Sequence, residues 1–405
     1  MRDFESMSTA QDTLRTASTL FEEHFEVAPA SRAHAPGRME VIGNHTDYNG
    51  GTVVGAAIDL GIGVAMRQRG DGRIRMVSDA REGDTALVTS MSTYTTDDLP
   101  DWCAYPLGVI DEARMRGWIP EGAGLDMAIH SDLPIGTGLS SSAALELAVA
   151  GALTRLFFEE DDMPGTGALV EVAHRAENRY VGMPCGLLDQ TVVGFARRQH
   201  LVVLDASQNL SLPVALPENL SFVLFRSHIS HALVDSPYEQ RHRECREALM
   251  GLQRFIPGIR HLARLHPADL DAYASVLETK ASLRARHVVH EQRRVGAFLA
   301  ALDLGDAEAA GACMTASHES SRAFFDNSTP ELDALVHAAN LQQGVLGARL
   351  SGGGWGGAVI ALVSEAFTDT QAESVCDAYE ELFEVRPHWW RTAASDGLVH
   401  ERVSD

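Results

Sequence analysis

The chain has 405 residues, a length that suggests two or three domains, and its hydrophobic content of 45% is ordinary for a globular protein. Its formal net charge is −23. A field of this sign repels polyanions, which argues against nucleic acid and anionic membranes as the main partners. No apolar run approaches the roughly 18 residues that would span a bilayer.

The first ten residues, MRDFESMSTA, contain early acidic residues and lack an apolar segment, so they predict no secretory signal. We therefore expect a cytoplasmic protein, present as a monomer or a weak oligomer. The cysteines are far apart and form no C-x-x-C pair, which favours reduced, mostly buried thiols over a metal or redox site. They lie at positions 103, 185, 245, 313 and 376.

The N-terminal half mixes predicted helices with predicted strands. Helices are expected at 8–25, at 142–158, from near Gly167 to the breaker at Gly182, and from near Gly186 through Asp189. Apolar or alternating segments predict strands at 52–68, 73–78, 200–205 and 220–227.

The C-terminal half is predicted to be mostly helical. Helices are expected at 237–256, 267–302, 305–325 and 329–343, and a glycine-rich turn at 352–357 precedes a strand at 358–363. Residues 206–219 are rich in turn formers, so we expect domains at 1–210 and 211–405. Because helices and strands do not strictly alternate, the pattern favours an α+β fold over a doubly wound parallel sheet.

The segment PIGTGLSSSAALE, residues 134–146, places glycines and three serines before an apolar helix. Gly136 and Gly138 can adopt positive φ angles that turn N–H groups toward one point, where the N–H groups of the helix N-terminus also point. Such a site suits a nucleotide phosphate, and a serine hydroxyl can be a Mg²⁺ ligand. The alternative is a plain glycine turn followed by a serine-capped helix.

A Walker A loop is excluded because Lys280 is the one lysine in the chain, and the other 32 basic residues are arginine. The strand lysine of protein kinases is missing for the same reason. Phosphoryl transfer by this chain would therefore take its positive charge from arginine or from a metal ion.

The segment APGRMEVIGNHTDYNGG, residues 35–51, combines Arg38 with a dense cluster of polar side chains from His45 onward. A carboxylate, an imidazole and an aromatic surface are the groups that a polyhydroxy ligand needs. The alternative is a hairpin turn at the Asn-Gly-Gly sequence, but a turn does not explain His45 together with Asp47.

Two further segments carry possible site residues. In AENRYVGMPCGLLDQ, residues 176–190, Asp189 falls in a first helical turn, whose dipole keeps a proton acceptor ionised or simply stabilises the helix start. In ARLSGGGWGGAVIALV, residues 348–363, five glycines surround one tryptophan before a strand. This pattern indicates either a tight packing corner or a second loop beside the phosphates.

The four segments, in this order, resemble the galactokinase branch of the GHMP small-molecule kinases. SPYEQRHREC (236–245) and STPELDALV (328–336) are also similar to that family, so the resemblance covers most of the chain. It implies an α+β, two-domain GHMP kinase-like fold with the active site between the domains. It also implies transfer of a phosphoryl group from ATP, with Mg²⁺, to the anomeric hydroxyl of galactose.

The resemblance implies a role for each matching residue. Arg38 would polarise the sugar 1-OH beside the transferring phosphate, and Asp189 would accept or orient its proton. The other implied roles are sugar contacts by Asn44, His45, Asp47, Gly186 and Tyr238, nucleotide contacts by Gly136, Thr137, Gly138, Leu139, Ser140, Ser141 and Ser142, and Mg²⁺ binding by Ser142 and Glu177.

The chain departs from the family pattern where Glu40 stands for the usual Asn and Asn44 for the usual Glu. If the two side chains touch, the exchange preserves their hydrogen bond; if they do not, the C5/C6 substituent of the sugar differs from that of galactose. The alternatives are a kinase for N-acetylgalactosamine, arabinose or galacturonate, or a sugar sensor without catalysis. A mevalonate or homoserine kinase is disfavoured, because those substrates need no polyol-binding cluster.

Overall fold

The computed structural model describes residues 9–80, 87–90, 100–134, 138–183, 185–229 and 237–403, with the backbone alone at 87–90. Helices and strands follow one another in mixed order, so the predicted α+β class is confirmed. Within these residues, none of the helices combines the length and the apolar character that a membrane span requires.

The helices of the described residues mostly fall where the sequence predicts them. They are α1 (Ala10–Phe25), α2 (Ala104–Met115), α3 (Ser141–Phe157), α4 (Thr166–Arg175), α5 (Leu188–Phe195), α6 (Pro237–Gln253), α7 (Pro267–Tyr273), α8 (Thr279–Asp303), α9 (Ala307–Ser320), α10 (Pro330–Asn340) and α11 (Asp369–Phe383). The single helix expected at 267–302 is wrong. The chain breaks before α8, where the Glu278 side chain accepts hydrogen bonds from the N–H groups of Lys280 and Ala281 and so starts a new helix.

The strands form two sheets. They are β1 (Ser31–Ile42), β2 (Thr52–Arg69), β3 (Arg73–Ser78), β4 (Leu87–Ser90), β5 (Gly124–Ser131), β6 (His200–Asp205), β7 (Leu210–Ala215), β8 (Leu220–Arg226), β9 (Val345–Ser351), β10 (Ala358–Ser364), β11 (His388–Thr392) and β12 (Val399–Arg402). The larger sheet has the order β12-β1-β2-β5-β3-β4, with the β6–β7 hairpin attached to β2, and the smaller has the order β11-β8-β10-β9. Among the described strands, β3 and β5 are the parallel pair.

One expectation about the middle of the chain is wrong. The segment 206–219 is not only turns, because it contains β7, an edge strand that pairs with β6 and tolerates Pro213. The C-terminal half is mostly helical, as predicted, and it also contains the four-stranded sheet, while β12 returns to pair with β1. The domain boundary at residue 210 stays a prediction.

The core of the larger sheet is covered by α3, which packs against β1 and β2. This helix is buried on every side from Ala143 to Thr154, as its almost continuous apolar sequence requires. Gly151 allows the close approach, because a Cβ at that position would lie 3.2 Å from the Cβ of Ala33. The N-terminus of α3 is thereby fixed relative to β1.

The two sheets meet through β1 and β9. The N–H group of Glu40 donates to Ser351 Oγ at 2.9 Å, and Arg349 Nη1 donates to the carbonyl oxygen of Glu40 at 3.0 Å. Helix α8 holds the turn after β1, because Glu291 Oε1 accepts from the N–H groups of Gly43 and Asn44. These contacts bring the polar segment after β1 and the glycine-rich segment after β9 to the same place.

Candidate active site

A cavity of about 240 Å³ opens where the four sequence segments converge. Its wall is formed by residues from 38–47, 138–142, 177–189 and 351–357, together with Tyr238 from α6. Segments that are far apart in the sequence thus form one concave surface that carries several polar side chains. A concave pocket with a few convergent polar groups is the usual form of a small-molecule site.

Arg38 of β1 and Asp189 of α5 form a bidentate ion pair in this wall. Arg38 Nε and Nη2 donate to the two carboxylate oxygens of Asp189, each at 2.8 Å. Arg38 Nη1 donates to the carbonyl oxygen of Gly138 at 2.6 Å, and the hydroxyl of Ser140 donates to Asp189. The guanidinium, the carboxylate and the serine-rich turn are therefore one hydrogen-bonded unit.

The start of α3 is a sharp turn with an uncapped helix N-terminus. Gly138 has a φ of +70° and Ser140 a φ of +58°, so the chain turns sharply before the helix begins at Ser141. In the described part of the chain no side chain caps α3, which leaves its first N–H groups for a ligand. Gly136 and Thr137, predicted to contact the nucleotide, lie outside the described residues.

The glycine-rich segment after β9 lies against this turn. Gly352 has a φ of +81°, and a Cβ there would come within 3.2 Å of the Gly138 carbonyl oxygen. A Cβ at Gly354 would lie 2.1 Å from the carbonyl oxygen of Asn327. The segment is therefore a tight packing corner and also a neighbour of the serine-rich turn. Its position beside the phosphates stays a prediction.

Buried acids collect beside the start of α3. Gln190 Nε2 donates to Glu177 Oε2 at 2.5 Å and to Glu146 Oε2 at 3.2 Å, and Ser142 also hydrogen-bonds to Glu177. Burial, followed by the charge of Asp189, raises the pKa of Glu177, and burial raises the pKa of Glu146 well above its usual value. A carboxylate next to a hydroxyl in this acidic setting is a suitable donor set for a hard cation.

The imidazole of His45 is held by two neighbours. Its Nε2 lies 3.0 Å from the Gly353 carbonyl oxygen and its Nδ1 lies 2.9 Å from the Tyr48 hydroxyl. Because a carbonyl only accepts, Nε2 carries the proton and Nδ1 accepts from Tyr48. Burial lowers the pKa of His45 to about 3, so the ring is neutral. His45 lines the cavity, but both of its nitrogens are occupied by protein groups.

Asp47 and Gly186 face each other across the cavity wall. A Cβ at Gly186 would lie 1.7 Å from Asp47 Oδ2, so glycine is the residue that leaves room for the carboxylate. Burial, with a further contribution from Glu40, raises the pKa of Asp47 to about 7. Tyr238, at the start of α6, lines the same region and stands 5.3 Å from His45 between ring centroids.

Asn44 also reaches the cavity wall, but its side chain is fully buried and fully hydrogen-bonded. Nδ2 donates to Glu40 Oε1 and to the Gly352 carbonyl oxygen, each at 2.8 Å. Oδ1 accepts from Ser321 at 3.1 Å and from Asn327 at 2.9 Å. The two exchanged side chains therefore touch, as one of the two sequence-based alternatives requires.

Several residues of the wall have no role predicted from the sequence. Among them are Glu40, which the sequence marks only as a departure from a family pattern, and Ser351 of the glycine-rich segment. The available signal for Glu40 was its spacing from Arg38, since residues two apart on a strand share a face. That signal was lost because residues 31–42 were not predicted to be a strand.

Three stretches of the chain match known families. Residues 19–68 match the galactokinase galactose-binding signature, 104–197 the GHMP kinase N-terminal domain and 298–385 the GHMP kinase C-terminal domain. A galactokinase from Roseiflexus sp. strain RS-1 is 37% identical over 93% of this chain and 95% of that protein. The chain belongs to the galactokinase family. Another galactokinase, from Bacillus subtilis strain 168, is 33% identical over 90% of this chain and 92% of that protein.

Solved structures agree with this family membership. The structure of Lactococcus lactis galactokinase complexed with galactose superposes with a TM-score of 0.89 at 30% identity, over 95% of this chain and 99% of that one. Mevalonate kinase from Methanococcus jannaschii superposes with a TM-score of 0.64 at 17% identity, over 90% of this chain and 98% of that one, so it shares the fold. The predicted GHMP kinase-like fold of the galactokinase type is confirmed.

Proposed function

We propose that this protein transfers the γ-phosphoryl group of ATP to the anomeric hydroxyl of galactose. Relatives named galactokinases cover nearly the whole chain, and one of the similar structures is a complex with galactose. The observation in this chain that carries the proposal is the Arg38–Asp189 ion pair beside Gly138 and Ser140. It puts a proton acceptor and a cation next to the turn that is shaped for phosphate.

In this mechanism, Asp189 orients the sugar 1-OH and accepts its proton as the oxygen attacks the γ-phosphorus. The bond from that phosphorus to the ADP oxygen breaks at the same centre. Arg38 stabilises the negative charge that develops on the transferring group, and it keeps Asp189 in one orientation through two hydrogen bonds. Positioning and charge stabilisation are the main demands of phosphoryl transfer.

The triphosphate is held by main-chain amides and hydroxyls rather than by a lysine. The positive φ of Gly138, the uncapped N-terminus of α3 and the hydroxyl of Ser141 supply the donors, because the hydroxyls of Ser140 and Ser142 already bind Asp189 and Glu177. The dipole of a 17-residue helix adds partial positive charge at the same end.

Ser142 and Glu177 are the residues that would hold Mg²⁺. Their oxygens are hard donors in contact with each other, and Mg²⁺ is usually bound by one or two carboxylates together with substrate phosphates. The buried Oε1 of Glu146, which has no partner among the described residues, adds to the negative character of this corner. When bound, the ion would neutralise charge on the phosphates.

The charges of the cavity favour a neutral sugar. Among the described residues that line it, Glu40, Asp47, Glu177 and Asp189 are acidic and Arg38 is the cation, because His45 is neutral. A sugar acid would bring a further carboxylate into this set and be repelled. This argues for galactose over galacturonate among the alternatives that the sequence leaves open.

The proposal is tested by measuring ADP release from Mg·ATP with galactose, N-acetylgalactosamine, glucose, arabinose and galacturonate. We expect the highest kcat/KM with galactose and the lowest with galacturonate. Activity on arabinose or galacturonate without activity on galactose would refute the galactose assignment. Saturable galactose binding without any ADP release would instead support a sensor.

A further inference from the structure

We propose that Glu40 accepts a hydrogen bond from a sugar hydroxyl at the end of the ring remote from the reacting oxygen, and that Asn44 positions Glu40 rather than binding the sugar. This inference rests on the proposed function, because it assigns a residue to the sugar side of the same cavity. It differs from the expectation drawn from the resemblance, which gives the sugar contact to Asn44.

Asn44 has no hydrogen-bonding capacity left for a ligand. A carboxamide offers two donor hydrogens and two acceptor lone pairs. Its two donors go to Glu40 Oε1 and the Gly352 carbonyl, and its acceptor receives the Ser321 hydroxyl and the Asn327 amide. Binding a sugar hydroxyl would break one of these buried bonds, since the side chain of Asn44 is completely buried.

Glu40 has the opposite arrangement. Both side-chain hydrogen bonds that it receives, from Asn44 Nδ2 at 2.8 Å and from Arg349 Nη2 at 3.0 Å, fall on Oε1. No described residue donates to Oε2, and Glu40 lines the cavity with 6% of its surface exposed. One oxygen is therefore fixed by protein groups, and the other is left for a hydroxyl donor.

Arg349 makes this orientation of Glu40 stable. The arginine side chain is completely buried, and its guanidinium binds both the backbone carbonyl and the carboxylate of Glu40. A buried guanidinium needs a paired carboxylate, because removing one partner leaves an uncompensated charge. The carboxylate of Glu40 is thus anchored on one side before any ligand binds.

The position of Glu40 along β1 places it at the sugar end of the cavity. Arg38, Met39 and Glu40 pair with Ala57, Ala56 and Gly55 in unbroken register, so Arg38 and Glu40 project from the same face. Two residues along a strand span about 6.8 Å. With Arg38 beside the reacting oxygen, Glu40 faces hydroxyls farther along the ring. Burial is the main cause of the raised pKa of Asp47, and the charge of Glu40 is a further one. The two carboxylates therefore lie in one region of the cavity.

The test combines Glu40→Gln with deoxy sugars. We would measure kcat and KM of the wild-type and variant enzymes with galactose and with its 2-, 3-, 4- and 6-deoxy derivatives. Glu40→Gln should lower kcat/KM for galactose by roughly 10- to 100-fold, mainly through KM. One of the 3-, 4- and 6-hydroxyls should be the partner of Glu40. Removing that hydroxyl should lower kcat/KM strongly in the wild type and hardly at all in the variant.

Glu291→Gln is the matched control. It neutralises a second buried carboxylate that holds the same turn, through the N–H groups of Gly43 and Asn44, but does not line the cavity. Its cost should be equal for every sugar. Two results would overturn the inference. In the first, Glu40→Gln lowers kcat/KM by the same factor for galactose and for every deoxy sugar; in the second, the effect of the variant depends only on the 2-hydroxyl. In both cases the wild type would still phosphorylate galactose.

Binding of a non-hydrolysable ATP analogue and the melting temperature report whether each variant folds. If Glu40→Gln does not fold, Glu40→Asp replaces it, since the shorter carboxylate keeps the charge but withdraws from the cavity. The same loss of coupling to one hydroxyl is then expected, and additive penalties would again contradict the inference. Failure of the wild type to phosphorylate galactose would instead refute the proposed function itself.

Discussion

Three hydrogen bonds fix the carboxylate of Asp189 before a substrate arrives. Two come from Arg38 at 2.8 Å and one from the hydroxyl of Ser140. A proton acceptor that is already oriented loses no further freedom when the sugar hydroxyl approaches. Asp189 therefore presents its carboxylate in a defined direction, as the mechanism needs.

Replacing this carboxylate with an amide separates chemistry from binding. Asp189→Asn should lower kcat by roughly 10²- to 10⁴-fold, because the amide keeps the size of the side chain but does not take up the proton. Binding of a non-hydrolysable ATP analogue should be retained, since the start of α3 is unchanged. Steady-state kinetics and a binding titration measure the two effects. Asp205→Asn, which changes a carboxylate held by Arg264 outside the cavity, is the control. Near-normal turnover by Asp189→Asn would end the assignment.

Asp47 should make galactose affinity depend on pH. Burial raises its pKa to about 7, so the carboxylate is protonated below that pH and charged above it. If the charged form accepts sugar hydroxyls, the KM for galactose falls as the pH rises from about 6 to about 8, while the KM for ATP stays constant. Asp47→Asn should raise the KM and remove this dependence. A galactose KM that varies with pH equally in both proteins would contradict the prediction.

Loops between regular elements decide the shape of the cavity. The turn before α5 brings Gly186 so close to Asp47 that a methyl group at 186 would overlap Oδ2 at 1.7 Å. The π-helical turn at Ala176–Val181 delivers Glu177 to the other side of the same loop. The conformation of this loop therefore sets both the sugar side and the cation side of the site.

A single methyl group tests this arrangement. Gly186→Ala should raise the KM for galactose by about tenfold or more, because the added group displaces the Asp47 carboxylate. The KM for ATP should change little. Gly165→Ala is the matched control, since a Cβ at Gly165 would have nothing within 4 Å. Kinetics in both substrates would decide: an unchanged galactose KM in Gly186→Ala would show that the close contact has no role in sugar binding.

How much the sequence predicts depends on whether a signal is local. The α3 start, the first-turn position of Asp189 and strands β2, β3 and β6 of the larger sheet follow from glycines, helix dipoles and apolar periodicity, whereas β1 gave no such pattern. The break before α8 and the edge strand β7 were missed, because a single capping side chain and a proline-containing strand give weak patterns. The contacts of Asn44 were not predictable, since its partners Asn327 and Gly352 come from distant parts of the chain.

At the scale of the whole molecule, the net charge of −23 should reduce stability through self-repulsion. Arginines neutralise part of it in clusters, as where Arg386 pairs with Glu373, Asp377 and Glu380. The acidic excess remains, because arginine and lysine together number 33 against 56 acidic residues. Added salt screens exposed charges that lie more than a Debye length apart.

We therefore expect the melting temperature to rise with KCl between about 0.05 M and about 1 M at neutral pH, by roughly 3 °C or more. Differential scanning fluorimetry measures the shift. The same titration at about pH 5, where carboxylate protonation reduces the net charge, should give a smaller effect. A melting temperature that falls with KCl at neutral pH would show that attractive ion pairs outweigh the repulsion.

In the proposed mechanism, one cavity directs the phosphoryl group to the anomeric oxygen, because Arg38 and Asp189 lie together beside the serine-rich turn. Phosphorus NMR of the product formed from Mg·ATP and galactose identifies the oxygen that receives the phosphate. We expect a phosphomonoester signal split by coupling to the anomeric proton of the sugar. A phosphate attached at any other carbon of galactose would refute the mechanism.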